Sequence, residues 1–123
     1  MKLKRSITIN PNYIEAVSKV SHLSLPMKQA VSLVKIIRVL QEETEVTKHV
    51  SMDLMKEFGI KAITNQGLEF EDESLFDSEK FNRKWDDLME QEFDIPLEEK
   101  ISLPESAVIS ASDLLTLSEL IDY

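Results

Sequence analysis

The sequence predicts an α+β fold in a single domain spanning residues 1–123: one long central helix, three shorter helices and a small, mostly antiparallel sheet. Two observations predict it. From Pro26 to Phe58 the chain contains no glycine and no further proline, so nothing inside this stretch breaks a helix. On both sides of it lie short segments in which apolar and polar residues alternate, which is typical of half-buried strands.

The long helix is expected over residues 26–58, where Pro26 suits the first helical position and Gly59 the left-handed position after the end. At this length it would measure about 50 Å. Its first half is apolar on nearly all sides, which favours burial in the chain's own core or against another subunit; both readings stay open. These residues are Met27, Ala30, Val31, Leu33, Val34, Ile36, Ile37, Val39 and Leu40.

The segments before the long helix are predicted to be one strand and one short helix. Residues 2–9 alternate, with Ile7 and Ile9 on the inward face of a half-buried strand. Asn10-Pro11 then supplies a capping side chain and a proline at the first helical position, which indicates a helix over residues 11–22.

After the long helix we expect a hairpin turning at residues 64–67, with Leu68 and Phe70 facing inward. A helix over residues 78–92 follows, because Asp77 is a good N-cap and Phe76 and Phe81 have the spacing of a hydrophobic staple.

The C-terminal part is predicted to hold a short edge strand between Pro96 and Pro104, since prolines are confined to strand edges and ends. A last helix begins after Ser110 and ends at Tyr123. The predicted core of the whole chain comprises Ile7, Ile9, Val17, Val34, Ile37, Leu54, Phe58, Phe70, Phe81, Trp85, Leu88 and Leu117.

Composition is that of a soluble globular protein, with 42% hydrophobic and 30% charged residues. No apolar run approaches the ~18 residues of a membrane span, and the basic N-terminus lacks the apolar region of a secretory signal. The absence of cysteine excludes disulfides and fits a cytosolic origin. Charge is unevenly distributed: residues 1–68 hold ten Lys/Arg and six Asp/Glu, whereas residues 69–123 hold four and seventeen.

The sequence carries no catalytic motif, so no enzyme activity, cofactor or metal is predicted. There is no HExxH pattern, no phosphate-binding glycine loop and no nucleophile elbow. His49 has Glu45 and Asp53 four residues away on either side, an arrangement that favours local salt bridges over a metal site. The few basic residues do not form the stripe that nucleic-acid binding needs.

A partner-binding face is predicted on the acidic helix over residues 78–92. Carboxylates crowd its C-terminal half beside apolar side chains that would anchor a contact. The alternative is a helix face that is merely solvated. The candidate residues are Asp86, Asp87, Glu90, Trp85 and Met89.

Several short motifs occur in a recognisable order. Leu25-Pro26-x-Lys28-x-Ala30 opens the long helix and Phe58-Gly59 ends it. The later motifs are Phe81-x-x-x-Trp85-x-x-Leu88, Glu92-Phe93-Asp94-Ile95, Ile101-Ser102-Leu103 and Ile109-Ser110-x-x-Asp113-Leu114. In this order they resemble a group of small uncharacterised proteins encoded by tailed bacteriophages and prophages. The resemblance implies a viral origin and a binding or structural role.

Two functions are therefore expected as alternatives. The first is a non-enzymatic phage structural or assembly protein, located in the virion or the host cytoplasm, that contacts other phage proteins or copies of itself. The second is an early phage effector that binds and inhibits a basic host (defence) protein or sequesters a host signalling molecule.

Overall fold

The computed structural model describes residues 1–97 and 99–122, and it confirms the α+β class with one long central helix. The helices are α1 (Pro11–Ser21), α2 (Met27–Glu57), α3 (Ser78–Glu90) and α4 (Ala111–Thr116). The strands are β1 (Lys2–Lys4), β2 (Ile60–Thr64), β3 (Gly67–Phe70), β4 (Glu92–Asp94), β5 (Ile101–Ser102) and β6 (Ile121–Asp122). Two 3₁₀ helices cover Arg5–Ile9 and Glu73–Leu75.

The long helix α2 begins one residue after and ends one residue before the predicted bounds of 26 and 58. Pro26 is its N-cap, and Gly59 follows its C-cap with a left-handed φ of 68°. A side chain at Gly59 would overlap the carbonyl oxygen of Asp72, whose N–H donates to the carbonyl oxygen of Gly59. Glycine is therefore required at this position both for its backbone angle and for the close approach of a neighbouring chain segment.

Two apolar cores lie along α2. The larger, here the main core, takes Leu33 and Ile36 from α2. It is completed by Leu3, Tyr13, Ala16, Val17, Val20, Phe93, Ile95, Leu97, Ile101, Leu117, Leu120 and Ile121. The smaller, here the hairpin core, consists of Leu54, Phe58, Ile60 and Phe81. The first half of α2 therefore packs in the main core and its last turns pack in the hairpin core.

The strands form three separate two-stranded pairs, two of them antiparallel. In the first, β1 pairs with β4, which the sequence did not predict as a strand, and Leu3 lies opposite Phe93. The second is the predicted hairpin of β2 and β3. In the third, β5 pairs in parallel with β6, so the chain's last described residues, predicted as helix, are partly strand.

The predicted strand over residues 2–9 is wrong beyond Lys4. The chain turns into a 3₁₀ helix there, which buries Arg5 and Thr8 and leaves Ile9 50% exposed. The reason is a polar contact with α2: Thr8 Oγ1 donates to Thr47 Oγ1 at 2.9 Å, and Arg5 Nη1 donates to the same oxygen at 3.1 Å. An alternating pattern does not predict a buried hydrogen bond of this kind.

The last helix is also shorter than predicted. It has the expected N-cap, since Ser110 Oγ accepts from the backbone N–H of Asp113 at 3.1 Å. It nevertheless ends at Thr116, because the chain turns to bring Ile121 beside Ile101 in the main core. Tyr123, the predicted end, lies outside the described residues.

The helix α3 confirms its predicted start. Asp77 Oδ1 accepts from the backbone N–H of Lys80 at 3.2 Å, and the rings of Phe76 and Phe81 lie 5.9 Å apart as a staple. The helix ends at Glu90, two residues before the predicted end, because the next residues pair with β1.

Most predicted core residues are buried or half-buried, and two are not. Besides Ile9, Val34 is 47% exposed, because α2 turns Leu33 and Ile36 to the main core and Val34 to the opposite side. The buried ones are Val17, Leu54, Phe58, Phe81, Leu88 and Leu117, and the half-buried ones are Ile7, Ile37, Phe70 and Trp85.

Candidate interaction surfaces

On the acidic face predicted on α3, two carboxylates are unpaired among the described residues and one forms an ion pair with β1. Asp86 and Asp87 are exposed. Glu90 is exposed too, but its Oε2 lies 2.7 Å from Lys4 Nζ, and hydrogen bonding to Glu90, followed by its charge, raises the pKa of Lys4. Glu90 therefore links α3 to β1, whereas Asp86 and Asp87 have no basic side chain within 4 Å among the described residues.

The apolar side chains beside these carboxylates face the interior. Met89 is 8% exposed and Leu88 4% exposed, so neither is available as a surface anchor. Trp85 is half-buried, and its ring stacks on that of Phe81 with 6.0 Å between centroids. Of the five predicted residues, the structure thus leaves Asp86 and Asp87, together with part of the half-buried Trp85, open to a partner.

A second surface lies on α2, opposite the main core. Met27, Val31 and Val34 follow each other at spacings of four and three residues and are 83%, 48% and 47% exposed. Farther along, Met52 is 44% exposed on the same line. We call these four residues the α2 stripe. The sequence indicated such a surface, because the first half of α2 is apolar on nearly all sides, but it did not predict which side of the helix is exposed.

The two halves of α2 carry opposite charge. Residues 27–38 contain three Lys/Arg and no Asp/Glu, which gives +3. Residues 39–57 contain two Lys and five Asp/Glu, which gives −3 with neutral histidine. The helix is therefore electrostatically self-complementary when two copies are placed antiparallel.

Two clefts accompany these surfaces. The first, of about 470 Å³, is lined by α1 and the segment before α4, and an ion pair of 3.3 Å between Lys19 and Asp113 lies in its wall. The second, of about 570 Å³, lies between the start of α2 and the segment over residues 95–102. Sequence reasoning missed both, because each joins residues far apart in the chain.

Across residues 1–97 and 99–122, no three His, Asp or Glu side chains are grouped so as to hold a metal ion. His49 lies 3.9 Å from Glu45 and is exposed, as expected for a local salt bridge on a helix surface. None of the helices in the described part of the chain has the length and hydropathy that a membrane span requires.

Comparison with known proteins identifies no related family or structure. No protein-family model matches the chain, and neither a curated protein nor a solved structure shows significant similarity to it. The resemblance to phage proteins therefore stays a prediction, and any function has to rest on the residues of the chain itself.

Proposed function

We propose that the protein is a non-enzymatic structural or assembly component of a tailed phage, acting in the virion or the host cytoplasm through protein–protein contacts, and that it associates with a second copy of itself through α2. The observation that carries this proposal is the α2 stripe, in which Met27 is 83% exposed at the start of a helix otherwise well packed on its opposite face. Exposed apolar residues in a line commonly mark an interface.

Charge favours an antiparallel arrangement of the two helices. With Met27 of one copy opposite Met52 of the other, the basic first half of each α2 lies along the acidic second half of its neighbour. Arg38 then lies opposite Gln41 of the second copy, one residue from Glu42 and four residues from Glu45 along the helix. Opposite charges beside an apolar seam set orientation, and the seam supplies most of the affinity.

The first test is the mass of the protein in solution, measured by size-exclusion chromatography with light scattering. We expect a dimer for the wild-type chain and a monomer for Val31→Gln/Val34→Gln. A control is Val108→Gln/Leu115→Gln, which replaces two apolar residues away from α2 that are 90% and 70% exposed, and this variant should remain dimeric. A monomeric wild type across the micromolar range would refute self-association.

Orientation is tested by disulfide cross-linking, which is straightforward because the chain has no cysteine. A mixture of Met27→Cys and Met52→Cys should give a mixed disulfide dimer, whereas Met27→Cys alone should stay uncross-linked. Cross-linking of Met27→Cys with itself would instead show a parallel pair and refute the charge argument.

One observation favours the second candidate, an early effector that binds a basic host protein. Asp86 and Asp87 are exposed beside the half-buried Trp85 in the chain and have no basic partner among the described residues. For this function we expect the protein to capture a host protein from lysate. The binding should weaken as the salt concentration rises, and it should weaken in the variant Asp86→Asn/Asp87→Asn. Capture that is unchanged by both would contradict an electrostatic contact at this site.

A further inference from the structure

The cleft of about 570 Å³ at the start of α2 has the size of a small-molecule site. One wall is the first two turns of α2, with Lys28, Gln29, Ser32 and Lys35, and the other is the segment that carries Lys100 and Ser102. The floor is apolar, since Ile95, Leu97 and Ile101 contribute to the lining and are buried.

The charge of this cleft is opposite to that of the protein. The chain has a net charge of −9, yet among the described residues the cleft is lined by three lysines and one carboxylate, Glu99. In the part of the chain that the structure describes, Lys28 and Lys35 have no carboxylate within 4 Å, and Lys100 Nζ donates to the carbonyl oxygen of Ser118 at 3.1 Å. A cleft lined by charges of one sign concentrates ions of the other.

The start of α2 adds positive potential to the cleft. Its first turn has no capping side chain and no acidic residue, so the positive end of the helix faces no negative charge of its own helix. An anion bound beside Lys28 would therefore be stabilised by the uncapped N–H groups as well as by the lysine charges.

We propose that this cleft binds a small organic anion that carries phosphate or carboxylate groups. Lys28, Lys35 and Lys100 neutralise the anionic groups, and the apolar lining residues contact the carbon skeleton. No aromatic side chain lines the cleft within the described residues, so stacking on a nucleobase plays no part in the recognition. The proposal does not rest on self-association through the α2 stripe, although Lys28 and Lys35 also belong to the basic first half of α2.

Isothermal titration calorimetry with two probes tests the proposal on the full chain. Citrate carries three carboxylates, and inorganic pyrophosphate carries two phosphate groups. We expect saturable binding of citrate, of pyrophosphate or of both, and the stronger probe identifies the anionic group. Lys28→Gln/Lys35→Gln/Lys100→Gln should weaken binding at least ~10-fold, because charged hydrogen-bond partners are lost.

The matched control is Lys48→Gln/Lys56→Gln/Lys61→Gln, which removes the same charge from exposed lysines outside the cleft and should change the affinity less than about twofold. Absence of saturable binding for both probes at millimolar concentration would overturn the proposal. An equal loss of affinity in the cleft variant and the control variant would also overturn it, since binding would then depend only on the overall charge of the protein.

Discussion

Removing the Arg5 side chain should reveal how much the polar contact in the middle of α2 stabilises the fold. Arg5 is 7% exposed and joins three parts of the chain. Its Nε donates to Gln91 Oε1 at 3.2 Å, its Nη1 to Thr47 Oγ1 at 3.1 Å, and its Nη2 lies 3.0 Å from Glu43 Oε2. Arg5 Nη1 also donates to the backbone carbonyl oxygen of Glu43 at 3.3 Å, so a charge pair and a hydrogen bond both join Arg5 to Glu43.

Arg5→Met would leave the Glu43 carboxylate without its counter-charge. Removing one partner of a buried pair costs about 3–5 kcal/mol, and the 25% exposure of the Glu43 side chain lowers this to about 2–4 kcal/mol. For a chain of this size the melting temperature should fall by roughly 10 °C. Chemical denaturation followed by circular dichroism measures the free energy of unfolding directly.

A double-mutant cycle with Glu43→Gln separates the pair from the other contacts of Arg5. The double variant should be more stable than the sum of the single losses predicts, by about 1–3 kcal/mol. Arg83→Met is the control, because its pair with Glu79 is exposed at both ends and 3.5 Å long, and it should change stability by less than about 0.5 kcal/mol. An equally small effect of Arg5→Met would refute the reasoning.

Three further substitutions probe the two cores and the end of α2. Burial, followed by the nearby Glu119 charge, raises the pKa of Tyr13, whose hydroxyl has no partner among the described residues. The neutral phenol therefore stabilises the fold below pH 10.0, its ordinary pKa, and this contribution is lost as pH rises above it, when the unfolded chain ionises. Denaturation at pH 8 and pH 11 should show a smaller alkaline loss for Tyr13→Phe than for wild type; equal losses would contradict this. Because Trp85 is half-buried, Trp85→Ala should cost about 2 kcal/mol, below the ~3–5 kcal/mol of a fully buried aromatic, and a loss under about 1 kcal/mol would place the ring outside the hairpin core. Gly59→Ala should cost at least about 2 kcal/mol from its left-handed φ and the overlap with Asp72, and more than Gly67→Ala, where an added Cβ meets no atom within 4 Å; thermal unfolding of the two variants decides it.

The sequence by itself determined the elements whose signals are local. Pro26 and Gly59 bound the long helix, and Asp77 and Ser110 begin two others, because capping and backbone restriction act within a few residues. The hairpin was likewise predictable from its turn and the alternation beside it. The charge asymmetry between the two parts of the chain also needed no structure.

Tertiary structure alone decided which faces are covered. Apolar residues surround the first half of α2, and only packing against α1 and the C-terminal segments determined that Leu33 is buried while Val34 is exposed. The same holds for the acidic helix, where Met89 turned inward and Glu90 paired with Lys4. The cleft with Lys28 and Lys100 likewise exists only because α2 and a distant segment meet. Periodicity tells how many sides of a helix are apolar, but burial depends on which other segments reach it, and those contacts join residues far apart in the chain.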